Sequence, residues 1–326
     1  MFQNPLPGVP SIESPFFEEL FAGAVLSEAE LKIARDLRDQ GYAVLDFPDP
    51  DFAAHAAAIQ HTLEPRYPWA QWQLGAADMR IQDAWQTEAP VRALATNATI
   101  IALLSKLYGK QARPFQTLNF AVGTEQHFHS DTVHFSSMPE RFMCGVWVAL
   151  EDVGPGQGPL QYFAGSHRWP LYGNEHIEFS PVASSNNQET YHDLWQKLVA
   201  SAGLQAQPFL AKKGQALIWC ANLLHGGMPH TDKTKTRWSQ VTHYFFDDCA
   251  YYTPMHSTPL SGKFQFRQPT DIGTSRHFSS PARTLIPTAG AASATPALGH
   301  SENISPQILT WRRALERVWR GVKGWG

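Results

Sequence analysis

Nine consecutive residues, Gln126-His127-Phe128-His129-Ser130-Asp131-Thr132-Val133-His134, hold three histidines and an aspartate. Side chains alternate along an extended strand, so His129 and Asp131 are expected on one face. An imidazole and a carboxylate placed together can take two adjacent positions on one metal ion. The third ligand must come from elsewhere, and the next strand-end histidine is His225, in Leu224-His225-Gly226-Gly227. Two histidines and one carboxylate on one face leave three positions open, the arrangement of non-heme Fe(II) oxygenases, where a bidentate co-substrate and O2 meet on the same iron. His127 has the parity of His129, so a cupin-like zinc site built from His127, His129 and His225 is the rival ligand set. The aspartate argues against a halogenase, because halide needs the position the carboxylate fills.

Arg237 follows His225 by twelve residues and opens Arg237-Trp238-Ser239-Gln240-Val241. A buried arginine can clamp a remote carboxylate through two parallel charge-assisted bonds. Ser239 shares its face and adds a hydroxyl. A metal triad followed by such an arginine is what 2-oxoglutarate requires: the 2-oxo acid chelates the iron, and the C5 carboxylate is held at a distance. His134 and Gln161 are the candidate substrate contacts, and with Phe135, Met138 and Arg141 they suggest a mixed polar and aromatic pocket. His167 reads as a residue that holds its own turn. His230 and His243 read as structural or exposed.

The elements that position these groups fall into two textures. Ahead of residue 111 the chain reads as helical: an irregular arm to about Phe21, a helix from Ser27 to Gln40 stopped by Gly41, a strand from Tyr42 to Phe47, then helices over Asp51 to Leu63 and Pro90 to Tyr108. From Gln111 short β-rich runs divided by Gly, Pro, Asn and Asp take over: Phe115 to Val122, Phe142 to Leu150, Gly158 to Phe163, Gly214 to Ala221 and Arg237 to Phe246. Helices followed by strands imply an antiparallel β core under helical cover. Glu189 to Ala202 interrupts as a helical insert.

These parts give one catalytic domain over residues 1–281, its helical part at about 22–110 and its β core at about 111–250. Residues 282–307 read as an Ala-, Thr-, Ser- and Pro-rich linker, and 308–326 as an amphipathic helix. At helical period, Trp311, Leu315, Val318, Trp319, Val322 and Trp325 share one face. Five basic residues and Glu316 occupy the other, a local charge of +4 against −3 for the 326-residue chain. This helix either packs on its own domain or a sister subunit, or lies as a peripheral contact on an anionic membrane surface. The overall charge gives no basic field for nucleic acid. Three scattered cysteines, no signal-peptide pattern and no long apolar run point to a cytoplasmic protein, peripheral at the inner membrane surface if the tail binds lipid.

The ordered set of motifs resembles the phytanoyl-CoA dioxygenase family of Fe(II)/2-oxoglutarate oxygenases. The matching pieces are Gly41-Tyr42-Ala43-Val44-Leu45, His129-Ser130-Asp131, the run from Val146 to Asp152, Gly158-Pro159-Leu160-Gln161, Ala164-Gly165-Ser166-His167, His225 and Arg237. They stand in family order over roughly residues 25 to 250. The resemblance implies a double-stranded β-helix (jelly-roll) core with flanking N-terminal helices. It implies Fe(II) on His129, Asp131 and His225, with 2-oxoglutarate and O2 as co-substrates. It implies the C5 carboxylate on Arg237, and further co-substrate contacts at Trp147 and Asn119. The activity it implies is hydroxylation of a small-molecule or lipid- or sugar-linked substrate, releasing succinate and CO2. The alternatives are a zinc enzyme or a non-catalytic ligand-binding relative on the same roll. Gly227 departs from the pattern, since the family commonly has a hydroxyl residue there. The chain has no basic run that would mark a CoA-phosphate site.

Overall fold

The computed structural model describes residues 2–73, 79–177 and 187–278. The linker and tail expected over 282–326 lie outside the described residues. In the helical half, α1 (Phe17–Ala22) precedes α2 (Glu28–Gln40). Ser27 Oγ accepts from the Glu30 N–H, and Glu30 accepts in return from the Ser27 N–H, so a capping box starts α2. Gly41 ends it at φ +83°, and an added Cβ there would lie 2.4 Å from His167 Nδ1. Both the left-handed backbone and the packed imidazole therefore require glycine. The expected irregular arm is instead ordered: a 3-10 turn at Ser11–Glu13 and α1 bury Ile12, Phe17 and Phe21 in the main core.

After β1 (Tyr42–Asp46) come α3 (Phe52–Leu63), α4 (Trp69–Gln73), β2 (Arg80–Gln82), α5 (Ala89–Ala95) and α6 (Ala98–Tyr108). The single helix expected over Pro90 to Tyr108 is two. Asn97 leaves the helical conformation, and its side chain caps α6 by accepting from the Ile100 N–H at 3.0 Å.

The β half comprises β3 (Ala112–Phe120), β4 (Ser136–Met138), β5 (Met143–Ala149), β6 (Leu160–Tyr162), β7 (Gln207–Phe209), β8 (Gln215–Cys220), β9 (His225–Gly227), β10 (Ser239–Phe246), β11 (Ala250–Tyr252), β12 (Thr270–Asp271) and β13 (Arg276–His277). Helix α7 (Asn187–Ala202) lies between β6 and β7, where the helical insert was expected. Six strands form the major sheet in the order β1-β8-β5-β10-β3-β2, with every pair antiparallel. The minor sheet, β7-β6-β9, faces it, and the two sheets together make a jelly roll.

The inner strands of the major sheet, β8, β5, β10 and β3, are covered on both faces. Along β8, Ala216, Ile218 and Cys220 pack toward the helices, while Leu217 and Trp219 pack between the sheets. On β5, Val146 and Val148 face the helices and Trp147 and Ala149 the inter-sheet core. That double burial is why these strands read as continuous apolar runs rather than alternating ones. The roll keeps one end open, and the chemistry gathers there.

Candidate metal centre and cavity

His129 pairs with His225 as an isolated antiparallel bridge that extends β9. Its N–H donates to the His225 carbonyl at 2.8 Å, and the His225 N–H returns the bond at 3.0 Å. Asp131 does not continue a strand, as simple alternation predicts; it opens a 3-10 turn over Asp131–Val133 that Ser130 caps. The bridge and the turn together bring the ligands to one point. His129 Nε2 lies 3.6 Å from Asp131 Oδ1, and His225 Nε2 lies 3.8 Å from Asp131 Oδ2. One ligand atom from each of the three falls within 4.8 Å of the others.

Each histidine spends its other nitrogen on a backbone carbonyl two residues upstream: His129 Nδ1 on His127 at 2.9 Å, His225 Nδ1 on Leu223 at 3.0 Å. A carbonyl only accepts, so both Nδ1 atoms carry the proton and both Nε2 lone pairs aim inward. Burial, helped by the neighbouring His225, draws the His129 pKa down to about 3 against the opposing pull of Asp131. Burial raises Asp131, but His225, His243, His129 and the Trp219 N–H outweigh it and bring the carboxyl to about 2. Trp219 Nε1 donates to Asp131 Oδ2 at 2.8 Å. The Trp219 ring lies across Gly145, where a Cβ would come within 2.1 Å of it. A buried carboxylate and two imidazole Nε2 atoms converging on one point fit a divalent cation.

Close backbone approach makes this geometry. A Cβ on Gly226 would sit 2.7 Å from the Gln126 carbonyl and 2.8 Å from Phe128 backbone atoms. One on Gly227 would sit 2.9 Å from the Thr124 hydroxyl, which lines the same cavity. That accounts for the departure at Gly227: a side chain has no room, and Thr124 Oγ1 occupies the space.

The cavity in front of the triad has a volume of about 460 Å³ and opens between the sheets. Arg237 and Trp147 line it together with His129, Asp131, His225 and His134. Arg237 is 2% exposed, and its Nη1 donates to Ser239 Oγ at 2.9 Å. Its Nε and Trp147 Nε1 are buried with no hydrogen-bond partner among the described residues. Burial brings the guanidinium down to about 10, with Glu151 and Tyr67 opposing. The Glu151 oxygens already accept from the Trp238 N–H and the Thr236 hydroxyl. An unmatched buried guanidinium beside a metal site fits a carboxylate ligand.

Two expected contacts lie elsewhere. Asn119 is buried on the opposite face of β3, its Nδ2 donating to Gln240 at 3.2 Å, while Gln116, Leu118 and Phe120 face the cavity. Gln161 is likewise not among the lining residues; it donates to the Gly227 carbonyl at 3.4 Å, and its neighbour Leu160 points inward. Arg141 is taken up by Glu13 and by the carbonyls of His167 and Trp169, away from the pocket. His127 stands outside the ligand cluster, its ring 4.8 Å from that of His192 on α7.

Other residues at the site were not anticipated. His243 is buried with Nε2 3.7 Å from Asp131 Oδ2 and Nδ1 3.0 Å from Gln116 Oε1. Parity would have found it, since positions 237, 239, 241 and 243 share a face. Trp219, Thr124, His256 and Arg267 carry no local signal of a site. Trp195 of α7 packs 6.5 Å from the His129 ring, so the insert helps roof the centre.

Comparison with solved structures shows the same fold. The epimerase SnoN from nogalamycin biosynthesis, in complex with Fe3+, alpha ketoglutarate and nogalamycin RO, is 20% identical with a TM-score of 0.54, over 76% of this chain and 97% of that one. The carbocyclase SnoK from the same biosynthesis is 18% identical with a TM-score of 0.52, over 73% and 91%. The apoform of EctD from S. alaskensis is 20% identical with a TM-score of 0.50, over 73% and 81%. No curated protein sequence matches the chain. The family model for phytanoyl-CoA dioxygenase (PhyH), however, matches residues 37–237, from the end of α2 through both histidines and the aspartate to Arg237. With more than half its length in that match and the triad assembled, the chain belongs to the phytanoyl-CoA dioxygenase family of iron- and 2-oxoglutarate-dependent oxygenases.

Proposed function

We propose that the protein is a hydroxylase of a small-molecule substrate, using Fe(II), 2-oxoglutarate and O2 and releasing succinate and CO2. The observation that carries this reading is Arg237: a guanidinium buried at the triad, with Nε unsatisfied and no carboxylate among the described residues paired to it. His129, Asp131 and His225 would hold the iron, which when bound supplies activation of O2 for oxidative decarboxylation of the 2-oxo acid and oxidation of the substrate.

The chain's own residues do the positioning. Arg237, braced by Ser239, receives the C5 carboxylate of 2-oxoglutarate, and the buried surroundings strengthen that charge-assisted pair. Trp219 and the two backbone carbonyls fix the three ligands in their ligating protonation and orientation. Trp147, Phe120, Leu160 and Val241 wall the cavity with apolar surface and keep water from the reacting groups. His134, at the open side of the triad, is positioned to meet substrate.

SnoN and SnoK are named as an epimerase and a carbocyclase, so the fold hosts other outcomes. Reaction under isotopically labelled O2 tests the choice. A hydroxylase puts one labelled oxygen into the organic product for each succinate formed. Succinate without label in the product overturns hydroxylation and leaves the oxygenase class standing.

A further inference from the structure

Beyond the metal, the cavity continues into an outer cleft of about 430 Å³, and Gln82, Gln116, Thr253, His256 and Arg267 line both. We infer that the substrate carries an oxyanion, a carboxylate or a phosphate monoester, and that Arg267 binds it where the two spaces join. This rests on reading the triad and Arg237 as the iron and 2-oxoglutarate site.

Arg267 is held ready for a ligand. Its backbone N–H donates to the Tyr251 carbonyl at 2.8 Å, its Nη1 to Thr253 Oγ1 at 3.0 Å, and its guanidinium lies over the Phe135 ring at 4.8 Å. Burial lowers its pKa, and no carboxylate opposes that effect. Other arginines of the fold are matched: Arg113 with Asp247 and Asp271, Arg141 with Glu13. No carboxylate among the described residues pairs with Arg267. His134 and His256 line the same cavity and bring further N–H groups, and the positive field of Arg267 and His256 acts on His134. Among the described lining residues of the metal cavity, Asp131 is the one carboxylate, and it belongs to the triad. Asp83 borders the outer cleft, but its oxygens accept from the Thr117 N–H, the Trp85 indole and Gln82.

The two unmatched guanidiniums serve different ligands. Arg237 lies two residues ahead of the start of β10, whereas Phe135, the ring beneath Arg267, packs 5.2 Å from His243, six residues farther along. His243, beside Asp131, pairs with Gln116, whereas Arg237 stands over the Phe120 ring toward the other end of β3. A 2-oxoglutarate running from the triad to Arg237 therefore leaves Arg267 on the other side, facing the outer cleft. A second anion completes the site.

The test uses the whole protein loaded with Co(II) and saturated with 2-oxoglutarate, titrated by calorimetry with phenyl phosphate, phenylacetate and neutral phenylacetamide. At least one acid should bind while the amide does not, and the stronger acid identifies the oxyanion. Arg267→Gln should weaken acid binding roughly tenfold or more, the loss expected for a charge-assisted bond. Arg267→Lys should fall between, and 2-oxoglutarate affinity checks the fold of each variant. Equal binding of amide and acid, acid binding indifferent to both substitutions, or no acid binding at millimolar concentration overturns the inference. If 2-oxoglutarate fails to bind but acid binding still depends on Arg267, the anion site stands and the 2-oxoglutarate reading falls. If 2-oxoglutarate binding requires Arg237 while the acids ignore Arg267, the reverse holds.

Discussion

Replacing Arg237 by methionine separates a ligand-binding cation from a structural one, because the two roles predict opposite changes in stability. The Arg237 guanidinium is buried, bonded to Ser239 and set 5.8 Å from the Phe120 ring and 5.7 Å from the Trp147 ring. Its pKa of about 10 in the fold, at about 1.4 kcal/mol for each unit below the usual value, amounts to about 3 kcal/mol against the charged form. A cation whose pKa drops on folding destabilises the fold wherever it stays charged, which here means everywhere below about pH 10. Methionine removes that penalty and keeps most of the buried stem. It forfeits the Ser239 bond, worth about 1 kcal/mol, and ring contacts worth about another. The net gain is on the order of 1 kcal/mol.

Urea unfolding of the metal-free protein measures this difference directly. With Co(II) present, 2-oxoglutarate at a hundred times its Kd should stabilise the wild type by about 2.7 kcal/mol, and Arg237→Met should show no response. A variant less stable than wild type without 2-oxoglutarate, yet equally stabilised by it, would refute the reasoning and make Arg237 a structural residue.

Trp219→Phe keeps the buried ring and deletes the 2.8 Å bond to Asp131; metal affinity, read by chelator competition, should fall roughly 10- to 100-fold with the fold retained by circular dichroism. Gly226→Ala drives a Cβ against backbone that no rotamer change can relieve; it should destabilise the protein by roughly 1–3 kcal/mol and abolish stoichiometric metal binding. His167, held at about 4 by burial although it bonds the Arg38 carbonyl, stays neutral in the fold while the unfolded chain takes up its proton at the ordinary histidine value. Its folded pKa is the lower one, so stability should fall as pH drops from about 6.5 toward 4, by about 3 kcal/mol in full, and His167→Gln should flatten that part of the profile.

What could be read from the sequence was what depends on local spacing. His129, Asp131 and Arg237 announce themselves through short motifs, and His225 through its place at a strand end, where it opens β9. The capping box at Ser27 and the stop at Gly41 are equally local. What failed depended on which face of a doubly covered strand points inward. On β3, Gln116, Leu118 and Phe120 turn to the cavity and Asn119 away from it. No apolar alternation marks that choice, because both faces are buried. His243 was missed for the same reason, although its parity with Arg237 was available. Arg267 and His256 come from the irregular stretch after β11, and only the folded chain shows that it returns to the cavity. The break at Asn97 followed from a cap hidden within an otherwise helical pattern.

The central claim is that His129, Asp131 and His225 hold iron on which 2-oxoglutarate chelates while Arg237 secures its far end. The direct measurement is anaerobic: Fe(II) is added to the metal-free protein, then 2-oxoglutarate, and the visible spectrum is recorded. The account predicts a weak metal-to-ligand charge-transfer band that needs both additions, disappears in His225→Ala, and in Arg237→Met forms only at much higher 2-oxoglutarate concentration. Bound iron with no such band, or a band indifferent to both substitutions, would contradict it.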